Sequence, residues 1–192
     1  MKEDVEIQKA VGIFKKGGIV IFPTDTLFGV GCVIDNKKSL KKLFEIRKRP
    51  LAKPLLVLAS DMEMARQYVD FTTPESRDLA GKYWPGPLTI ILNCHKAKVP
   101  SIVRAGGETL GVRIPDNDRL REIIRKIGKP IVAPSANFSN EKSPKKLEDV
   151  DSKLIKQVDF VVHGECKIKE ASTIVNYTVV PFEVVRQGAI KI

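Results

Sequence analysis

The chain has 192 residues, 43% of them hydrophobic, with 12 prolines and 33 Lys and Arg against 23 Asp and Glu, for a formal net charge of +10. That length can bury one sizeable core, the composition excludes general disorder, and the charge suits polyanionic partners. Three scattered cysteines without a CxxC pair, and only two histidines, argue against a structural zinc site and for a reducing compartment. The N-terminal MKEDVEIQKAVGIF mixes charges before any apolar run, unlike a signal peptide. No window approaches the roughly 18 apolar residues of a membrane helix, so no membrane partner and a cytoplasmic location are expected.

Val5, Ala10, Val11 and Phe14 recur at helical spacing, which predicts an amphipathic helix over residues 3–16, ended by Gly17 and Gly18. Ile19 to Phe22 is branched and aromatic enough for a strand. Pro23 lacks an N–H, so pairing should stop there and present Thr24, Asp25 and Thr26 at a strand end. A second apolar segment covers residues 27–34. Asp35 or Asn36 can cap a helix whose buried stripe is Leu40, Leu43 and Phe44, and Pro50 should force the chain out of it.

Residues 54–59 read as a core strand, 61–69 and 74–83 as helices, and Trp84-Pro85-Gly86-Pro87 as a rigid turn into a strand over 88–93. Residues 101–108 read as a loop, where Gly106 and Gly107 allow unusual backbone angles. A strand over 110–114 and a helix over 119–127 follow. Residues 130–134 form a strand that stops against the polar loop 135–144. A helix around 146–156 then leads to strands over 160–163, 172–176 and 182–186. Strands alternate with helices and then crowd together. This predicts an α/β fold, a twisted open mixed β-sheet flanked by helices, in one domain over residues 1–192.

Residues 37–53 hold eight basic side chains and one acid, Glu45. Lys37, Lys38, Lys41 and Lys42 would lie on the solvent face of a helix. Arg47, Arg49 and Lys53 instead flank a proline-bounded loop before a core strand, and a loop with an Arg fork and a mobile Lys suits a triphosphate. Arg113, Arg186, the SAN turn at 135–137 and the ST turn at 172–173 add polar strand ends to those at Thr24–Thr26. The Gly-x-Gly at 29–31 lacks the third glycine of a dinucleotide fingerprint, and GxxxxGK[ST] does not occur. With no Ser/His/Asp or Cys/His nucleophile to assemble, the chemistry expected is binding and neutralisation of anions.

In order, GGIVIFPTDTLFGVG, RKRPLAKPL, WPGPLTIIL, VRIP, APSANFS, STIV and VRQGAI resemble the threonylcarbamoyl-adenylate synthase family of the YrdC/TsaC type, from Gly17 to the C-terminus. The resemblance implies a nucleotidyltransferase that joins L-threonine, bicarbonate and ATP, with Mg2+ balancing the leaving pyrophosphate and no metal held by protein side chains. The product, threonylcarbamoyl-AMP, would pass to a threonylcarbamoyl transferase complex that modifies an adenosine of tRNA, with tRNA itself a further candidate partner. The resemblance places Thr26, Arg113 and Ser172 at threonine, with Arg113 on its carboxylate. It places Arg49 and Lys53 at the phosphates as the catalytic pair, and Thr109, Ser135, Asn137, Ser143 and Arg186 at the nucleotide.

Three positions depart from the family pattern: Phe28 where Tyr is common, Arg47 where Lys is common, and Asn140 where Gly follows SANxS. Arg47 keeps the charge without the compactness of Lys, and Asn140 tolerates left-handed backbone angles nearly as glycine does. Two alternatives share these features. One is a double-stranded RNA or tRNA-binding module, which calls for a broad basic face instead of cations converging in a cavity. The other is a related carbamoyl-adenylate-forming enzyme, like the domain found in hydrogenase maturation proteins.

Overall fold

The computed structural model describes residues 2–71 and 73–192. In chain order it has α1 (Lys2–Lys15), β1 (Val20–Pro23), β2 (Phe28–Gly31), α2 (Lys37–Ile46), β3 (Val57–Leu58), α3 (Met62–Arg66), α4 (Pro74–Tyr83), β4 (Leu88–Asn93) and β5 (Thr109–Arg113). Then come α5 (Asp118–Ile127), β6 (Ile131–Val132), a 3-10 turn (Leu147–Asp149), α6 (Ser152–Ile155), β7 (Phe160–Val161), β8 (Thr173–Asn176) and β9 (Glu183–Arg186). The fold is α/β with mixed sheets flanked by helices. β1 with β7, β3 with β5 and β4 with β8 pair in parallel, and the remaining ladders are antiparallel.

The strands form two sheets where one was expected, in the orders β2-β1-β7 and β6-β3-β5-β4-β8-β9. They meet at β2 and β6, where Val30 N donates to Pro134 O at 2.9 Å, Val132 N to Cys32 O at 2.9 Å and Ile34 N to Pro130 O at 3.0 Å. Two cores flank them. Alternate residues of β1 serve both, Ile21 entering a larger cluster with β3, β4, β5 and the Leu40, Leu43 and Phe44 stripe of α2. Val20 and Phe22 face the other cluster, against Ile7, Ala10, Val11 and Phe14 of α1 and Leu120, Ile123 and Ile124 of α5. Burial contributes about 1.5–3 kcal/mol for each large apolar side chain. Val5, expected in that stripe, is 67% exposed, and Ile7 occupies the buried position.

Local chemistry sets the element ends. Asn36, Asp61, Thr73 and Asn117 cap α2, α3, α4 and α5 with side-chain oxygens, and Gly128 ends α5 in the left-handed region. Several elements are shorter than their apolar runs. Pro54 has no N–H and Leu55 N turns to Val103 O, so β3 keeps only Val57–Leu58. Pro130 and Pro134 bracket β6 in the same way. The helix expected around 146–156 is broken, because Asp149 accepts the amides of Lys145 and Lys146 and Asp151 accepts that of Lys153.

The seam between the sheets depends on Gly31. A Cβ there would lie 1.8 Å from Val132 O, a backbone atom with no room to yield. Gly31→Ala should therefore part β2 from β6 and lower stability by about 3 kcal/mol, measured as a fall in the urea unfolding midpoint.

Candidate functional site

Thr24, Asp25 and Thr26 close the β1–β2 hairpin. Thr24 Oγ1 accepts the amides of Thr26 and Leu27 at 3.0 and 3.1 Å and donates to Leu27 O at 2.8 Å, so one hydroxyl shapes the turn. Asp25 and Thr26 are thereby aimed at the end of β5. Arg113, 4% exposed, donates there from Nε to Gly86 O at 3.0 Å, from Nη1 to Thr26 Oγ1 at 2.8 Å and from Nη2 to the Asp25 carboxylate. Asp25 is 1% exposed, and its Oδ2 has no partner among the described residues. Burial pulls the Arg113 guanidinium below its ordinary value, and the Asp25 charge opposes that pull.

In the same space, Arg186 of β9 donates from Nε and Nη2 to Ser172 O at 3.1 and 2.8 Å and from Nη2 to Ser172 Oγ at 3.2 Å. Ser172 Oγ also lies 2.9 Å from Thr89 Oγ1. Burial, and then the charge of Arg113, lowers the Arg186 pKa, and no carboxylate pairs with Arg186 among the described residues. The loop after β6 supplies a third wall. Ser135 Oγ donates to Asn137 Oδ1 at 2.6 Å, Asn137 Nδ2 donates to Glu141 O at 2.6 Å, and Asn140 takes φ +73°, as its small polar side chain allows.

These walls enclose one cavity of about 80 Å3, whose polar lining includes Thr26, Arg113, Ser135, Ser143, Ser172 and Arg186. Phe28, Leu56 and Leu58 add apolar lining. The enclosed volume is well under the ~300–1,000 Å3 of a typical ligand pocket, so it suits an amino-acid-sized group, with anything larger extending through its mouth. Along β5, Thr109, Gly111 and Arg113 share a face, and Thr109 stands about 13 Å along the strand from Arg113. Between them Gly111 carries no side chain, and a Cβ there would lie 3.4 Å from Thr89 Cγ2 and 3.6 Å from Leu56 Cβ.

Six of the ten residues that the resemblance assigns to the substrates thus meet in the cavity, and four stand apart. Asn137 is 8% exposed behind Ser135. Arg49 donates to Lys53 O at 3.2 Å and Pro54 O at 2.7 Å, and Lys53 Nζ donates to Asn140 Oδ1 at 3.0 Å, which lays the basic loop against the loop after β6. Thr109 sits at the opposite end of β5 from Arg113. Lys37, Lys38, Lys41 and Lys42 are exposed, as the helical spacing predicts, whereas Arg47 is 3% exposed and donates from Nε and Nη2 to Asn137 O and Oδ1 at 3.1 and 3.2 Å. Sequence reasoning placed Asp25 at the strand end without giving it a partner. The only signal was an acid inside a strand-end turn, because its partner lies 88 residues away.

A family model described as "Sua5_yciO_yrdC: Telomere recombination" matches residues 12–188. The chain is 35% identical over 161 residues to the threonylcarbamoyl-AMP synthase of Bacillus subtilis (strain 168), covering 84% of this chain and 46% of that protein. It is 31% identical over 189 residues to that of Pyrococcus abyssi, covering 98% and 55%. It is also 31% identical over 161 residues to that of Vibrio vulnificus (strain YJ016), covering 83% and 86%. The chain therefore spans about half the length of the first two relatives. Among solved structures, P. abyssi Sua5 complexed with L-threonine superposes with a TM-score of 0.90 at 31% identity, over 95% of this chain and 54% of that one. E. coli YciO superposes with a TM-score of 0.85 at 27% identity, over 97% and 90%.

The Asp25–Arg113 pair yields a direct test. Arg113→Ala leaves a buried carboxylate uncompensated and should cost about 3–5 kcal/mol in denaturant unfolding. The double change Asp25→Asn with Arg113→Met removes both charges and should recover much of that loss.

Proposed function

Because the chain belongs to the Sua5–YciO–YrdC family, we propose that it is an L-threonylcarbamoyladenylate synthase, a nucleotidyltransferase acting on L-threonine, bicarbonate and ATP. The observation that carries this reading is the convergence of Thr26, Arg113, Ser135, Ser143, Ser172 and Arg186 on one cavity from five separate segments of the chain. Its enclosed part suits threonine, and the strand face from Arg113 past Gly111 to Thr109 would give a nucleotide a course along the sheet.

In this reading threonine's free amine combines with bicarbonate to give a carbamate and water. A carbamate oxygen then attacks the α-phosphorus of ATP, the bond to the bridging β-phosphate oxygen breaks, and pyrophosphate leaves. The protein's part is to hold three anionic groups close together against their mutual repulsion. Thr26 and Ser172 line the threonine end, with Arg113 toward its carboxylate. Asp25 already balances Arg113, so Arg186 supplies the cavity's unneutralised positive charge. Arg49 and Lys53 serve the phosphates as the catalytic pair, exchanging their contacts with Pro54 O and Asn140 for phosphate oxygens. Magnesium would enter as the counter-ion of ATP.

The product would pass to a transferase complex that modifies tRNA, with direct contact to tRNA part of the same proposal. The three buried free cysteines suit the reducing cytoplasm proposed for it. No helix among the described residues is long and apolar enough to cross a membrane.

Purified protein should release pyrophosphate from ATP only when L-threonine and bicarbonate are both present, and release indifferent to threonine would sink the assignment. Lys53→Ala should weaken ATP binding about tenfold, as loss of a charge-assisted phosphate contact does, and leave threonine affinity nearly intact in calorimetric titration. The reverse pattern would exchange the two substrates' places.

A further inference from the structure

Arg47 is a buried cation that no carboxylate balances among the described residues. Its Nε and Nη2 are both directed at Asn137, and its Nη1 is buried without a partner among the described residues. Burial, and then the charge of Arg49, pushes its pKa down to about 10, so it stays protonated at neutral pH. A guanidinium can only donate, so the Asn137 side-chain atom facing it has to be the oxygen, the same orientation in which Asn137 Nδ2 donates to Glu141 O at 2.6 Å. Ser135 faces that same oxygen at 2.6 Å, so its one hydroxyl hydrogen goes to Asn137. What Ser135 has left for the cavity is lone pairs.

We propose that Arg47 is a positioning residue of the site: through Asn137 it makes Ser135 an acceptor, so that the ligand group Ser135 meets is a hydrogen-bond donor or a cation and not a phosphate oxygen. The same contacts tie the basic loop to the loop after β6. Ser139 N donates to Arg47 O at 2.8 Å, Lys48 Nζ sits 5.3 Å from the centre of the Phe138 ring, and Lys53 reaches Asn140. A lysine at 47 would also donate to Oδ1, which keeps the polarity of Ser135 while giving up the second arm of the fork.

The effect on turnover rests on the reaction proposed above, and the test separates the two. In threonine-dependent pyrophosphate release, Arg47→Met and Ser135→Ala should each lower kcat/KM about tenfold or more. The loss should fall on the same parameter, KM or kcat, in both. The double variant should be no worse than the poorer single one, and Arg47→Lys should restore most of the rate. Losses that multiply in the double variant, or an Arg47→Lys as poor as Arg47→Met, would overturn the proposal. If the wild-type protein shows no such release, the reaction is wrong, and the coupling is then read without substrate from thermal melts of Arg47→Met, Asn137→Ala and their combination. Melting shifts that simply add would overturn the positioning role, and a double variant melting no lower than the worse single one would support it.

Discussion

The buried ion pair between Asp25 and Arg113 is the contact on which the arrangement of this protein turns. It connects the hairpin of the smaller sheet to an inner strand of the larger one. Removing two charges from water costs several kcal/mol per ion, and the offset here comes from further hydrogen bonds to Thr26 and Gly86. The compensation is incomplete, since Asp25 Oδ2 is left without a partner among the described residues. An apolar pair of similar volume would hold the two sheets at least as well. The pair makes physical sense as a device for orientation: it fixes which way the guanidinium points, and with it the shape of the cavity beside it.

The charge of the cavity is then less positive than a count of its arginines suggests. Arg113 is paired inside the wall, so the net charge comes from Arg186, and Ser172 binds the Arg186 side chain at both its carbonyl and its hydroxyl. Around these two cations stand hydroxyls whose hydrogens are already committed in part. Such a lining discriminates by direction more than by strength, because each fixed dipole favours one sense of hydrogen bond and leaves the opposite sense unpaired. The long-range attraction of anions falls to exposed lysines elsewhere, while the cavity itself sorts what arrives.

Much of the fold was legible in the sequence, because apolar periodicity and caps act locally. The stripe of α2, the Pro-led α4, the strand over Leu88–Asn93 and the Asn36 cap all follow from residues within a few positions of one another. The short strands were not legible at their true length, since prolines at 54, 130 and 134 remove donors while the apolar run continues past them. Nor was the division into two sheets, which depends on how closely two backbones approach at Gly31. For the site, a family pattern brought together residues that no spacing could have joined. What stayed hidden was pairing across the chain. In the sequence Arg47 reads as a cation beside a loop suited to a triphosphate, and only the three-dimensional structure shows it 3% exposed behind Asn137.

The two sides of the cavity also differ in how they are held. Arg113 stands on β5, flanked by β3 and β4, and holds Thr26 of the β1–β2 turn, whereas Arg186 is carried by β9, the last strand of its sheet, which among the described residues pairs with β8 alone across a register shift. Every residue of β9 is exposed, and Val180, in the connection before it, is 98% exposed. The energy needed to open a segment locally rises with the contacts it must break. Stiffness therefore differs between the two arginines: the one paired inside the core is held rigidly, and the one that bears the free positive charge is compliant. A site graded in this way can grip one ligand tightly while its opposite rim gives way to ligands of different length.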